Sequence, residues 1–383
     1  MIQKSPVGSR VATAKPATHD VCSSVNYHRA IKDFERYHAF SRQSGSADAY
    51  MSACKANPII DNGSQAGCAS ILISDGTPYV LDFFEGYQTR SKAVFHKILS
   101  LSKKQKLPDA LIVIEFSDGI ANMGDLPIFS MARRTGDQRG VLYPDFTFDD
   151  WPESVCPHAK EHDHNYTKLF DAFSHLGDLD HRVETLFWRG AELGPRGSIM
   201  DFLDNYRAIH SDYANHIDVE FMSWNDADNG QCVGVLDQCD YKYLFYMPGK
   251  TYSSSLKYKL LCGSVVFSPK LHWQEFWTGL LVPGTHFVEV GLDDSFGAKF
   301  QQILSDGQLA HNIGKNGQHL VLQQLSPAAI DCYWAKLIEL ASRYLPKVPK
   351  PDDARRIEDF LQDWPQSSRI VHQFRISDLN ITV

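Results

Sequence analysis

Residues 241–294 read YKYLFYMPGKTYSSSLKYKLLCGSVVFSPKLHWQEFWTGLLVPGTHFVEVGLDD. Tyr241 to Met247 form a β-rich run that Pro248-Gly249 breaks, and residues 250–255 then supply a cation and hydroxyls ahead of a helix predicted over 256–262. Gly263-Ser264 ends that helix, and Val265-Val266-Phe267 starts the next strand. This order is a βαβ unit, which places the helix N-terminus at the carboxyl edge of a sheet. Unpaired N–H groups and the helix dipole favour a phosphate there. Lys257 and Lys259 lie near that N-terminus and oppose the dipole, an arrangement easier to explain with a bound anion.

The 383-residue chain, 43% hydrophobic and 22% charged, can bury two ordinary cores, so two α/β domains are expected. A net charge of -8 without a long Lys/Arg run argues against a nucleic-acid partner, because phosphate contacts need a basic face. No apolar run reaches the length of a membrane span, and residues 1–20 lack the apolar stretch of a signal peptide. Taken literally, the chain is a cytosolic protein.

Residues 1–25 have the composition of a flexible arm. Within 26–150, the reading places helical spacing at 27–55, a hairpin around Asp75-Gly76, an amphipathic helix over 91–101, and a continuous apolar strand over 110–116. That last run suits a parallel sheet buried on both faces. Residues 144–164, loop-rich and with Pro152 and Pro157, mark the crossover to a second α/β domain over 151–345. That domain contains a helix at 165–176, a strand at 184–188, a helix at 198–210, the unit quoted first and a closing helix at 328–345. The sequence PKVPKPDD breaks the last helix, and the 346–383 tail is expected to pack back on the first domain.

Several motifs occur together and in order: PDFTFDDWPE at 144–153, LFWRG at 186–190, KYL at 242–244, Gly249, Ser253, Lys257, LCGSVVF at 261–267, Trp273 with Glu275-Phe276, His286-Phe287-Val288, Asp293, and CYW at 332–334. This set resembles the family-90 glycosyltransferases, the group that includes protein O-glucosyltransferases of the secretory pathway and the fungal capsule-associated xylosyltransferase. The resemblance implies an α/β fold of two Rossmann-like domains facing a cleft, of GT-B type. It also implies an inverting transfer of glucose or xylose from a UDP-sugar to a hydroxyl of a protein or glycan. No metal or other cofactor, no membrane span and a monomer are expected. The resemblance further implies a Cys239–Cys262 disulfide, a bridge from Cys332 to the N-terminal region with Cys22 as nearest candidate, and the lumen of the endoplasmic reticulum or Golgi. Sequons at Asn62, Asn165 and Asn380 add little to that reading.

Asp118 ends the strand LIVIEFSDG, where a carboxylate projects into the crevice of an α/β sheet, and it matches the family's catalytic base. Alone it would read as a turn cap with Gly119. The family carries an arginine immediately before this aspartate, whereas this chain has Ser117. The UDP-sugar would be held by Arg189, Gly190, Gly249, Ser253, Ser254, Ser255, Lys257 and Asp293, with Asp293 equally suited to capping a helix. Ser255 and Glu192 stand where the O-glucosyltransferase branch has basic residues, with Lys250, Lys257 or Arg196 as possible compensation. Those departures sustain an alternative, a sugar- or peptide-binding relative without transferase activity. Asp226-Ala227-Asp228 and the set Cys156, His158, His162 and His164 have metal-compatible spacing but read as polar loops. Trp273, Phe276 and Trp277 read first as the core face of a helix and second as a sugar-stacking platform.

Overall fold

The computed structural model describes residues 18–37, 51–52, 67–84, 88–119, 127–154, 156, 159, 164–176, 179–222, 232–345 and 349–364. In chain order their strands are β1 (Cys68–Ser74), β2 (Thr77–Phe84), β3 (Ala110–Glu115), β4 (Phe129–Ser130), β5 (Arg133–Arg134), β6 (Val141–Leu142), β7 (Val183–Gly190), β8 (Ile217–Phe221), β9 (Tyr241–Phe245), β10 (Val265–Ser268), β11 (Trp273–Gln274), β12 (Val288–Glu289) and β13 (Arg355–Arg356). One sheet has the order β13-β2-β1-β3-β4-β6 and another the order β12-β10-β9-β7-β8. The fold is mixed α/β.

The hairpin β1–β2 turns at Asp75 and Gly76, both at positive φ, 48° and 78°, a two-residue turn whose twist matches that of the strands. β3 is buried along its whole length, as its apolar run predicts. Its sheet, however, is mixed rather than parallel: β3 runs antiparallel to β1 and parallel to β4. Burial on both faces follows from a central position and does not fix strand direction. In the tail, β13 pairs antiparallel with β2, and the helix Ile357–Gln362 brings Phe360 to 5.4 Å from Phe83 and 5.5 Å from Phe95, ring centre to ring centre.

Every pairing in the five-stranded sheet is parallel. The helix Arg196–Ile209 covers one face, where Ile199 and Leu203 meet Leu186, Trp188 and Phe245. The helix Ser255–Leu261 covers the other, where Leu256 and Leu260 join Phe187, Leu244 and Val266. That second apolar cluster continues without a break through β1 and β3 to the helix Pro327–Tyr344. The two sheets therefore share an apolar interior.

A short ribbon also joins them: β5 pairs antiparallel with β11, Arg134 opposite Trp273 and Arg133 opposite Gln274. The helix expected around Trp273, Phe276 and Trp277 is instead β11, a turn and the 3-10 turn Thr278–Leu280. Phe276 and Trp277 are buried, but Thr278 Oγ1 accepts from the Glu275 N–H (3.0 Å) and fixes a non-helical turn.

Disulfides join Cys239 to Cys262, Cys22 to Cys332 and Cys156 to Cys232, and Cys68 is disulfide-bonded too. The first two pairs are those the resemblance implies. Cys156 is thus no metal ligand, and no cluster of His, Cys, Asp and Glu among the described residues could hold a metal ion. No helix among them is long and apolar enough to cross a membrane.

Candidate active site

In the five-stranded sheet the strand order reverses between β7 and β9: the connection after β7 leads to β8 on one side, and that after β9 leads to β10 on the other. Their helices lie on opposite faces. Such a switch point opens a crevice beyond the carboxyl ends of the strands, the usual ligand position in an open α/β sheet. Here it is bordered by residues 191–195 after β7 and 246–254 after β9. The two loops touch. Gly194 has φ +58°, and a Cβ there would lie 2.5 Å from the Gly249 carbonyl oxygen, so only glycine permits the contact. Arg196 ties the loops together, donating to the carbonyls of Ala191 (2.8 Å), Pro248 (3.1 Å) and Met247 (3.4 Å). Its burial pushes the guanidinium down to about 10. Gly190 closes β7 over the Trp188 ring, which would stand 2.7 Å from a Cβ at that position.

Asp118 follows β3 in the other sheet. The adjacent Gly119 packs so closely that a Cβ on it would lie 3.1 Å from the Trp273 ring and 3.6 Å from Thr251 Cγ2, on the loop after β9. The Asp118 carboxylate takes a 2.8 Å ion pair from Arg90 and keeps 29% of its side chain exposed. The structure thus brings Asp118 beside the loop that carries Ser253, Ser254 and Ser255. Among the described residues the turn is closed by Ser117 Oγ, which donates to the Gly119 carbonyl (2.6 Å).

Asp145, which carried no assigned role in the sequence, is the link between that loop and the first half of the chain. Its buried carboxylate accepts from Tyr252 Oη (3.0 Å), Ser254 Oγ (2.9 Å), Thr147 N (3.0 Å) and Thr147 Oγ1 (2.6 Å). Lys257 Nζ lies 3.6 Å from it and donates to Thr147 Oγ1 and to the Ser254 carbonyl (3.1 Å). Lys257 is 1% exposed, and burial pushes its ammonium down, against the pull of Asp145 and Glu275. Lys259 is buried as well, donates to Gln238 Oε1, and is pushed down to about 7 by desolvation. Both lysines near the helix N-terminus therefore find their partners inside the protein, so their presence does not require a bound anion. Glu275, buried 5 residues before Leu280, has its carboxyl pushed up to about 8 by desolvation and by Asp145. Burial, reinforced by Asp145, Asp118 and Glu275, keeps the Tyr252 phenol neutral.

The serines stay partly open: Ser253 Oγ and Ser255 Oγ are 2.9 Å apart, and Ser254, turned to Asp145, leaves the helix without a side-chain cap. Lys250, beside them, is exposed. Arg189 is not at this loop. Its guanidinium lies over Phe187, donates to Asp218 Oδ1 (2.7 Å) on β8 and stands 3.6 Å from Glu220. Asp293, one residue before the N-cap position Asp294, accepts from the Ser295 N–H (2.9 Å) at the start of the helix Ser295–Ser305. Asn165 likewise caps the helix Tyr166–Ser174. Asp226-Ala227-Asp228, His158, His162, Asn62 and Asn380 lie outside the described residues.

The fold is mixed α/β, with the turn at Asp118-Gly119 set against the hydroxyl-bearing loop after β9 at the switch point of a parallel sheet. Residues 47–369 match the family described as Glycosyl transferase family 90, and the chain belongs to that family. Over 283 residues, 68% of each chain, it is 26% identical to protein O-glucosyltransferase 1 of Rattus norvegicus. Over 289 residues, 70% of this chain and 68% of the relative, it is 28% identical to the O-glucosyltransferase rumi of Drosophila pseudoobscura pseudoobscura. A crystal structure of Anabaena HepE in complex with UDP overlaps 45% of this chain and 44% of that one at 15% identity and a TM-score of 0.28, a likeness too slight to bear on the site.

Proposed function

We propose that the protein transfers glucose or xylose from a UDP-sugar to a hydroxyl of a protein or glycan, with inversion at the anomeric carbon and Asp118 as general base. The observation that carries this reading is the placement of Asp118, paired with Arg90 and adjoining the loop after β9. In the reaction, Asp118 takes the proton of the acceptor hydroxyl while that oxygen bonds to the anomeric carbon. The bond from that carbon to the diphosphate breaks and UDP leaves. Such base assistance is worth ~100- to 10,000-fold. The diphosphate charge would meet Ser253, Ser255, Lys250 and the N–H groups beyond Gly249, with Asp145, Lys257 and Arg196 shaping the loop. Arg189 would join the phosphates only after exchanging Asp218 for them. The two halves would act as the facing domains of a GT-B enzyme, without a metal. The disulfides favour a secretory lumen, since such bonds do not persist in a reducing cytosol.

The engagement of Arg189, Arg196 and Lys257 by protein groups favours a second reading, a binding relative that has lost transfer. Titration with UDP, UDP-glucose and UDP-xylose, followed by UDP release in the presence of hydroxyl acceptors, separates the two. Donor-dependent UDP release supports the transferase. Binding without preference for the uridine diphosphate moiety, and without release, supports the other.

A further inference from the structure

We propose that Arg90 is a positioning residue for the reaction: it holds one oxygen of Asp118 so that the other faces the acceptor. This rests on the reading of Asp118 as base. Arg90 sits in the first turns of the helix Gln88–Lys104, with 13% of its side chain exposed. Its Nη1 stands 2.8 Å from Asp118 Oδ1 in an ion pair and donates to the Phe116 carbonyl (3.2 Å), so a single nitrogen engages both the carboxylate and the strand end that carries it. The guanidinium lies 5.2 Å from the centre of the Phe146 ring. Phe146 begins the 3-10 turn capped by Asp145, the residue that also holds Tyr252 and Ser254 of the loop after β9. One turn therefore braces both the carboxylate and the loop opposite it. Ser117, which precedes the carboxylate, is buried and spends its hydroxyl on the Gly119 carbonyl, so it brings no charge to Asp118. The helix supplies it instead.

The test compares Arg90→Gln, Arg90→Ala and Asp118→Asn in transfer assays with UDP-glucose and UDP-xylose. Arg90→Gln keeps packing on Phe146 and a donor for the Phe116 carbonyl but lacks the ion pair, which guards against loss of folding. The expected result is a kcat lowered ~10- to 100-fold, the scale of a misplaced reacting group, with donor KM and UDP affinity within about twofold. Adding free guanidinium to Arg90→Ala should restore part of the rate, and Arg90→Gln should lower the residual rate of Asp118→Asn no further, because it acts through that carboxylate. Wild-type kcat in Arg90→Gln, alongside an inactive Asp118→Asn, overturns this inference alone. Equal losses in the presence and absence of the Asp118 carboxylate reduce Arg90 to a structural role and also overturn it. An active Asp118→Asn overturns the base assignment itself.

Discussion

Replacing Asp145 with alanine should be among the most damaging single changes in the chain, and much more damaging than replacing its partner Lys257 with methionine. The asymmetry follows from who remains. Asp145→Ala strips the Lys257 ammonium of the one carboxylate within 4 Å among the described residues and leaves it, 1% exposed, against Thr147 Oγ1 and the Ser254 carbonyl. It also leaves the buried Tyr252 hydroxyl with the weak Met131 Sδ acceptor (3.8 Å) in place of a carboxylate, and frees Ser254. Breaking a buried pair in this way costs about 3–5 kcal/mol. Lys257→Met leaves the Asp145 carboxylate with its four hydrogen bonds, so the loss should be about 1–2 kcal/mol, the net worth of one charged hydrogen bond. Urea denaturation followed by tryptophan fluorescence reads both, and the double variant should lose well below the sum, because the stranded ammonium is gone. A cost under about 1 kcal/mol for Asp145→Ala, or additive losses, would refute the assignment of Asp145 as the link between the halves.

Three further outcomes are expected. Glu275 has its native value raised from 4.5 to about 8, so the native state holds more protons than the unfolded chain across that interval; its contribution is full below 4.5 and is lost as pH rises to about 8. The stability of the wild type should fall relative to Glu275→Gln over that window, by up to about 1.4 kcal/mol per pH unit, and parallel curves would contradict the assignment. Gly194→Ala should weaken UDP binding with little loss of global stability, because the added Cβ would push the Gly249 carbonyl away and shift the loop after β9; unchanged calorimetric affinity would contradict this. Cys239 and Cys262 close a loop of sequence separation 23, for which chain-entropy estimates give about 3 kcal/mol, so the double serine variant should lose stability on that scale in urea. Two freely alkylated thiols in native protein made in a secretory host would contradict the bond.

The unit that decides the fold was legible because its signals are local: a strand rich in aromatic residues, a Pro-Gly break, a short helix and Gly263 at φ +70° to end it. The hairpin at Asp75-Gly76 was legible for the same reason. What could not be read depends on distant partners. Arg189 has the expected strand position, but its direction is set by Asp218 and Glu220 on β8, 29 and 31 residues away. Asp145 lies inside a recognised motif, yet its role appears only when Tyr252 and Ser254 fold onto it from 107 and 109 residues away. The pairing of β5 with β11 carries no periodicity, since each strand has two residues, and so the Trp273 to Trp277 segment read as a helix. Arg90 has no sequence signal at all beyond its place near the start of an amphipathic helix.

The central claim is that Asp118 is the base of a sugar-transfer reaction, and Asp118→Asn tests it most directly when transfer and UDP binding are measured on the same protein. On the proposed mechanism the carboxylate would act on the acceptor and contribute little to holding the nucleotide. The account predicts turnover lowered at least ~100-fold, the lower end of general-base effects, with UDP affinity within about twofold of wild type. Retention of more than about a tenth of wild-type turnover, given that same scale, would contradict it.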